Sequence, residues 1–229
     1  MIKHSSRLRE SSRHQDSASP PAPAPGLEET AAAGPGAWAA AAGFALTRLA
    51  QAAAGDSRPV LLAAPPFWLR ERGRPFGPGM IRFGLPQNRW LLVTADKEAA
   101  LLWAAEEALK SGAVAGVLAA VEAPSLVMTR RLDLCAREGG ALGLALRARP
   151  PDDLSAARVR WRIASAPSAP NRLDPEAPGA ARWRVEAVRR RDGPPASWLM
   201  ELDDETGRLR VVPGLADHPA VRRPAHAAA

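Results

Sequence analysis

The chain has 229 residues, with 31 lysines and arginines against 24 acids, a net charge of +7 and 46% hydrophobic content. That length fits one globular domain or two small ones, and no apolar run approaches the ~20 residues a spanning helix needs, which argues against a membrane protein. A single cysteine, Cys135, excludes an internal disulfide and any Cys-based zinc site and suits a reducing cytoplasm. The four histidines, at 4, 14, 218 and 226, lie near the two ends. No imidazole is left in the middle for a triad, a general base or a metal.

Residues 1–26 are polar, proline-rich and aperiodic, and read as a disordered arm. They lack the apolar stretch of a secretory signal, and Glu10 and Asp16 speak against a transit peptide. From Leu27 to residue 213 the pattern is that of a globular domain. Residues 37–53 are alanine-rich, with Trp38, Phe44, Leu46 and Leu49 on a helical stripe. Residues 58–64 (RPVLLAA) read as a buried strand, residues 68–72 as a helical turn and residues 73–79 as a loop. Residues 90–94 (WLLVT) read as a second buried strand. Ala100, Trp103, Ala104, Glu107 and Leu109 trace an amphipathic helix over 97–111, stopped by Gly112. A third strand is predicted over 114–121, a helix over 125–138 with Gly139 and Gly140 behind it, and a fourth strand over 141–147. Strands alternating with helices predict an α/β fold with a mostly parallel sheet.

The period then changes to strict alternation over 158–163, 182–188 and 197–202, which predicts antiparallel strands extending that sheet. Residues 214–229 read as a second tail. Six tryptophans fall on predicted elements and are expected in the core. Trp68, beside Pro65, Pro66 and Phe67, reads as an exposed anchor. Cys135 on a helix reads as a core residue.

The segment WLLVTADKEAALLWAAEEALKSGAVAGVLAA, residues 90–120, resembles the RecA core: strand, acidic turn, helix, Ser-Gly-Ala-Val, buried strand. RWRVEAVRRRDGPPASWLMEL resembles the strands that follow the DNA-binding loops there. Together with RGRPFGPG and MTRRLDLCAREGGALGLALRARP, the chain over residues 27–205 is closer still to ImuA-type proteins, the RecA-like accessory factors of bacterial damage-induced mutagenesis. The resemblance implies a RecA-like sheet flanked by helices. It also implies work beside a Y-family polymerase-like partner of the ImuB type and an error-prone C-family polymerase, with RecA a further partner.

A phosphate-binding loop needs Gly-x-x-x-x-Gly-Lys-Ser/Thr, because glycines open the backbone to phosphates, the lysine balances charge and the hydroxyl holds Mg²⁺. The matching window keeps Gly34 and Pro35, but Ala39, Ala40 and Ala41 stand where Gly, Lys and Ser/Thr belong. Ala120 stands where the resemblance implies a metal-supporting Asp. Ala64-Pro65-Pro66 stands where it implies the carboxylate that activates water. Three separate losses point to a protein that is not an enzyme, with no cofactor and no metal. The segment RPPDDLSA, in the place of RecA's long DNA-binding loop, is short, stiff and acidic.

Residues 147–191 hold eleven arginines against five acids, a net +6. Arg158, Arg160 and Arg162 share one strand face, opposite Val159, Trp161 and Ile163. A plain solvated face explains this pattern, and so does a surface for nucleic acid or an acidic protein. Arg189 and Arg191 are similar in position to two basic residues that reach a neighbour's nucleotide in RecA filaments. With Arg184 and Arg190 they form the predicted partner-binding edge. The expected function is therefore a cytoplasmic, non-catalytic factor in SOS mutagenesis and translesion synthesis, with only weak, salt-dependent DNA contact. A SulA-like division inhibitor and a divergent DNA-stimulated ATPase are the alternatives.

Overall fold

The computed structural model describes residues 19–150, 152–171, 173–174, 176–203 and 206–212. The four histidines, Arg172 and the predicted tail 214–229 lie outside the described residues, as do the first 18 residues of the predicted arm. Chain order is β1 (Gly26–Ala32), α1 (Trp38–Ala52), β2 (Val60–Ala64), α2 (Pro66–Arg72), α3 (Gly77–Arg82), β3 (Trp90–Thr94), α4 (Glu98–Lys110), β4 (Gly116–Ala120), α5 (Leu126–Glu138) and β5 (Leu142–Arg147). It continues with β6 (Val159–Ala166), β7 (Arg182–Arg190), β8 (Ala196–Leu202) and β9 (Leu209–Val211). All nine strands join one sheet in the order β3-β2-β4-β5-β1-β6-β7-β8-β9. Pairing is parallel from β3 to β6 and antiparallel from β6 to β9. This is the mostly parallel α/β sheet with antiparallel extension that the sequence implied.

The sheet separates two apolar layers. On one face α1, α2 and α3 cover a core that includes Phe44, Leu49, Trp68, Met80, Trp161, Trp183 and Trp198. On the other, α4 and α5 cover a core built on Leu27, Leu61, Leu101, Leu109, Val117 and Leu132. No residue of β6–β9 belongs to that second core. The antiparallel half thus carries its large buried apolar side chains on the α1 face, and its other face is mostly polar.

β1 has no apolar periodicity, and the sequence did not reveal it. It holds Glu28, Glu29 and Thr30 in succession, each at most 1% exposed, between β5 and β6. Adjacent residues on a strand point to opposite faces, so the two carboxylates enter opposite layers. Glu28 meets Arg48 of α1, and Glu29 meets Arg160 of β6.

Several local expectations are corrected. Residues 90–94 form an edge strand and not a buried one, with Leu91 52% exposed. The loop expected over 73–79 gives way to α3 at Gly77, where Pro78 supplies a helix-compatible φ in the first turn. The buried face of α4 is Leu101, Leu102, Ala105, Glu106 and Leu109, so of the predicted stripe Leu109 is buried, while Ala100, Trp103 and Glu107 point outward. Glu106 is accommodated on the inner face because Arg131 of α5 reaches it at 2.6 Å. Trp103 is 62% exposed, whereas Trp68, expected to be the exposed one, is 7% exposed. The core placement of Cys135 is as expected. Gly26 opens β1, and the carbonyl of Pro21 accepts from Arg48 at 2.7 Å.

Candidate functional site

The window read as a phosphate loop, residues 34–41, starts at the carboxyl end of β1, in the loop 33–37, and runs on into the first turn of α1. Gly36 adopts φ +81°, and the Ala37 N–H donates to the Gly34 carbonyl at 3.1 Å, closing a tight turn. Ala40 and Ala41 are 3% and 0% exposed, so their methyl groups lie in the α1-side core. Ala39 is exposed. Over the start of α1, Trp38 packs edge-on against Trp68 of α2 with ring centroids 4.2 Å apart. The Arg72 guanidinium lies 4.2 Å from the Trp38 ring centroid. β2 runs directly into Pro65, the extended residue before α2. Ala120 is buried at the end of β4, and Glu122 is exposed, its backbone N–H donating to Glu98 at 2.6 Å.

The polar face of the antiparallel half carries ion pairs across its strands. Arg160 donates to Glu29 at 2.8 Å and to Asp153 at 3.0 Å, and Asp153 also pairs with Arg147 at 3.2 Å. Arg162 meets Glu186 at 2.7 Å, and Arg182 and Arg210 both meet Glu201. Asp153 and Glu186 are already counted in the net +6 of residues 147–191, so of these acids only Glu29 and Glu201, which lie outside that segment, offset a small part of its charge. Burial opposes ionisation of Asp153, but Arg147 and Arg160 outweigh it and hold the carboxyl below its ordinary range. The same contacts fasten the short segment after β5 to the sheet.

The four predicted partner arginines are not brought together as one group. Arg184 sits mid-strand in β7, paired with Ala164 and Leu199. Arg190 donates to the Pro194 carbonyl across the following turn. Arg189 and Arg191 do meet, at the amino end of the parallel strands, where they line a groove of about 600 Å³ beside α5. A bulge at Arg160/Trp161 shifts the alternation there, so Arg189 comes opposite Arg160.

The other wall of the groove escaped the sequence reading. Leu126, Arg130, Asp133, Leu134 and Arg137 form one stripe along α5, and Leu154, Ser155 and Ala156 close the far side. Helical spacing of these five residues was the signal that would have found the stripe. Asp133, 3% exposed, organises the site. It accepts the Leu27 N–H at 3.0 Å and pairs with Arg137 at 3.1 Å and Arg191 at 3.4 Å. Arg189 donates to the Ser155 carbonyl at 2.9 Å, and Arg191 to that of Ala156 at 3.0 Å. Among the described residues no group of three or more His, Cys, Asp or Glu side chains is placed to hold a metal ion. Burial, with Glu106 and Glu138 nearby, pushes the Cys135 thiol upward, which disfavours a reactive thiolate.

ImuA proteins from two strains of Caulobacter vibrioides, NA1000 and CB 15, are each 38% identical to the chain over 165 residues, covering 66% of it and 67% of their own length. The chain belongs to the ImuA family. ImuA membership ties it to damage-induced mutagenesis. No family model matches the chain. SulA from Pseudomonas aeruginosa is similar at 27% identity over 53% of this chain and 97% of its own, with a TM-score of 0.41, which adds nothing to the fold described above. Among the described residues of this ImuA-family chain, no helix is long and apolar enough to cross a membrane.

Proposed function

We propose that the protein is a non-catalytic accessory factor in translesion DNA synthesis during damage-induced mutagenesis, acting in the cytoplasm through protein–protein contacts. The observation that carries this reading is the state of the phosphate-loop window. A nucleotide's phosphates need backbone N–H groups, a cation and a Mg²⁺-holding hydroxyl. Here positions 40 and 41 offer two core-packed methyl groups, and the Trp38–Trp68 pair with Arg72 stands beside them. The scaffold keeps the packing role of α1 and has given up the chemistry.

The partners of this reading are an ImuB-type relative of Y-family polymerases and an error-prone C-family polymerase, with RecA as a further partner. Arg189 and Arg191 are the docking residues that geometry supports best, since they share one groove. DNA contact is weak and sequence-independent, because Asp153 and Ser155, in the short segment after Arg149, are held by hydrogen bonds from Arg147, Arg160 and Arg189.

Calorimetric titration of the purified protein with ATP and Mg²⁺ tests the absence of a nucleotide site. No heat beyond dilution is expected. Saturable micromolar binding would overturn the reading and place a working pocket at the end of β1.

A further inference from the structure

Three features outside the phosphate-loop window present unsatisfied chemistry: the exposed aromatic side chains Phe67 and Phe76 near α2, the open edge of β3, and the groove beside α5. The groove is the one in which charge, shape and apolar surface agree. Its lining combines four guanidinium groups, from Arg130, Arg137, Arg189 and Arg191, with a single carboxylate, Asp133. Asp133 is already engaged by Arg137 and Arg191. The Arg130 side chain makes no hydrogen bond or ion pair among the described residues, and that of Arg189 has one backbone acceptor. Each guanidinium carries five N–H donors in a planar fork that matches carboxylate geometry, so the groove holds an excess of donors and of positive charge.

Branched apolar side chains are interleaved with these arginines. On α5 Leu134 stands between Arg130 and Arg137 and Leu126 lies one turn before Arg130, and Leu154 faces them from the far wall. Leu134 is 48% exposed and Leu154 73% exposed, which leaves their apolar surface open to a ligand. An occupant that satisfies both sets has carboxylates alternating with branched apolar residues.

We infer that the groove between α5 and residues 154–156 is a docking site for a short acidic, amphipathic peptide segment of a partner protein. Nucleic acid fits less well, because no aromatic side chain lines the groove to stack a base and the leucines would be left unused. The chain's own ends are unsuited too: residues 1–18 and 213–229 each carry more basic than acidic side chains and repel the site. The inference rests on the adaptor reading above and supplies the chemistry of its partner. It stands or falls separately, since nucleotide binding and peptide binding are measured independently.

The test is fluorescence anisotropy with a labelled amphipathic peptide of leucine and glutamate, using the leucine–lysine counterpart as control. The full-length protein is expected to bind the acidic peptide in a salt-sensitive manner and to ignore the basic one. R130E/R189E exchanges two charges that Asp133 does not use, and is expected to weaken binding by about tenfold or more. L154D alters only an exposed side chain and keeps the test open should the double variant fold poorly; it is expected to lose about fivefold or more by bringing like charge to the acidic ligand. R70E, on α2, serves as the control and leaves binding unchanged. Equal affinity for both peptides, or unaltered binding in R130E/R189E and in L154D, overturns the inference. So does displacement of the peptide by single-stranded DNA at lower concentration than by unlabelled peptide, which assigns the groove to phosphate. Self-association that R130E/R189E abolishes, without peptide binding, assigns it to a second copy and likewise overturns it.

Discussion

Arg48 of α1 grips Glu28 of β1 with two side-chain hydrogen bonds, Nε to Oε2 at 3.0 Å and Nη2 to Oε1 at 2.6 Å, with both residues buried. The indole N–H of Trp161 donates to the same carboxylate at 2.7 Å, and the Arg48 guanidinium lies 4.9 Å from the Trp161 ring centroid. One carboxylate therefore ties the central strand to α1 and to β6. Removing one member leaves an unpaired buried charge, which destabilises a fold by about 3–5 kcal/mol. R48A and E28A are each expected to lose that order of stability in urea denaturation. The pair E28L/R48M, which removes both charges and keeps volume, should fall well short of the sum of the single losses. Single variants that unfold at the wild-type midpoint would show that the pair does not hold β1 in place.

That same pair explains why β1 was invisible in the sequence while most other elements were legible. β2, β4 and β5 are short apolar runs, and β6 and β7 alternate strictly, so period alone placed them. α5 announced itself with Ser125 at its N-cap, whose hydroxyl accepts the Met128 N–H, and with Gly140 at φ +60° behind it. In β1 the inward positions 28 and 29 are glutamates, and the arginines that make them tolerable lie 20 and 131 residues away. No local window contains that compensation. α4 misled for the same reason: Glu106 is buried because Arg131, on another helix, meets it. The groove escaped notice because it joins a helix stripe to a loop and a strand end, which only the tertiary structure unites.

Gly43 tests the packing of α1 on β7. A Cβ built there would lie 2.7 Å from Cη2 of Trp183, closer than side chains approach. Helix propensity alone would favour alanine by about 1 kcal/mol, but overpacking a buried contact costs typically ~1–3 kcal/mol. G43A is therefore expected to lower the melting temperature. In a W183L background the same substitution should be neutral or stabilising, since the indole edge is gone. Equal effects in the two backgrounds would mean that α1 and Trp183 do not meet as described.

Acid sensitivity should concentrate on Glu201 of β8. The hydrogen bond from Arg210 is the strongest influence; together with that from Arg182, and against the effect of burial, it holds the Glu201 carboxyl below its ordinary value. A carboxylate with a lowered folded pKa contributes stability that is complete above its unfolded value and disappears as pH falls through the folded one. Asp153, lowered by Arg147 and Arg160 in spite of burial, acts in the same direction. Thermal melts taken downward from about pH 5 should therefore show a progressive loss of stability. E201Q should start less stable at neutral pH and decline more shallowly. A variant with the wild-type slope would show that Glu201 is not among the groups being protonated.

The last prediction separates the four arginines that sequence alone grouped together. Arg189 and Arg191 line the groove, while Arg184 lies mid-strand in β7 and Arg190 turns to the Pro194 carbonyl. If docking uses the groove, R189A and R191A should each reduce damage-induced mutagenesis in cells, and together abolish it. R184A and R190A should stay close to wild type. None of the four should unfold the protein, because exposed charge pairs contribute roughly 0–1 kcal/mol and Asp133 keeps Arg137 and the Leu27 N–H when Arg191 is lost. Equal loss of mutagenesis from all four substitutions would point to a general electrostatic edge in place of a shaped site. Wild-type mutagenesis in the stable R189A/R191A variant would leave these side chains as a solvated strand end with no docking role.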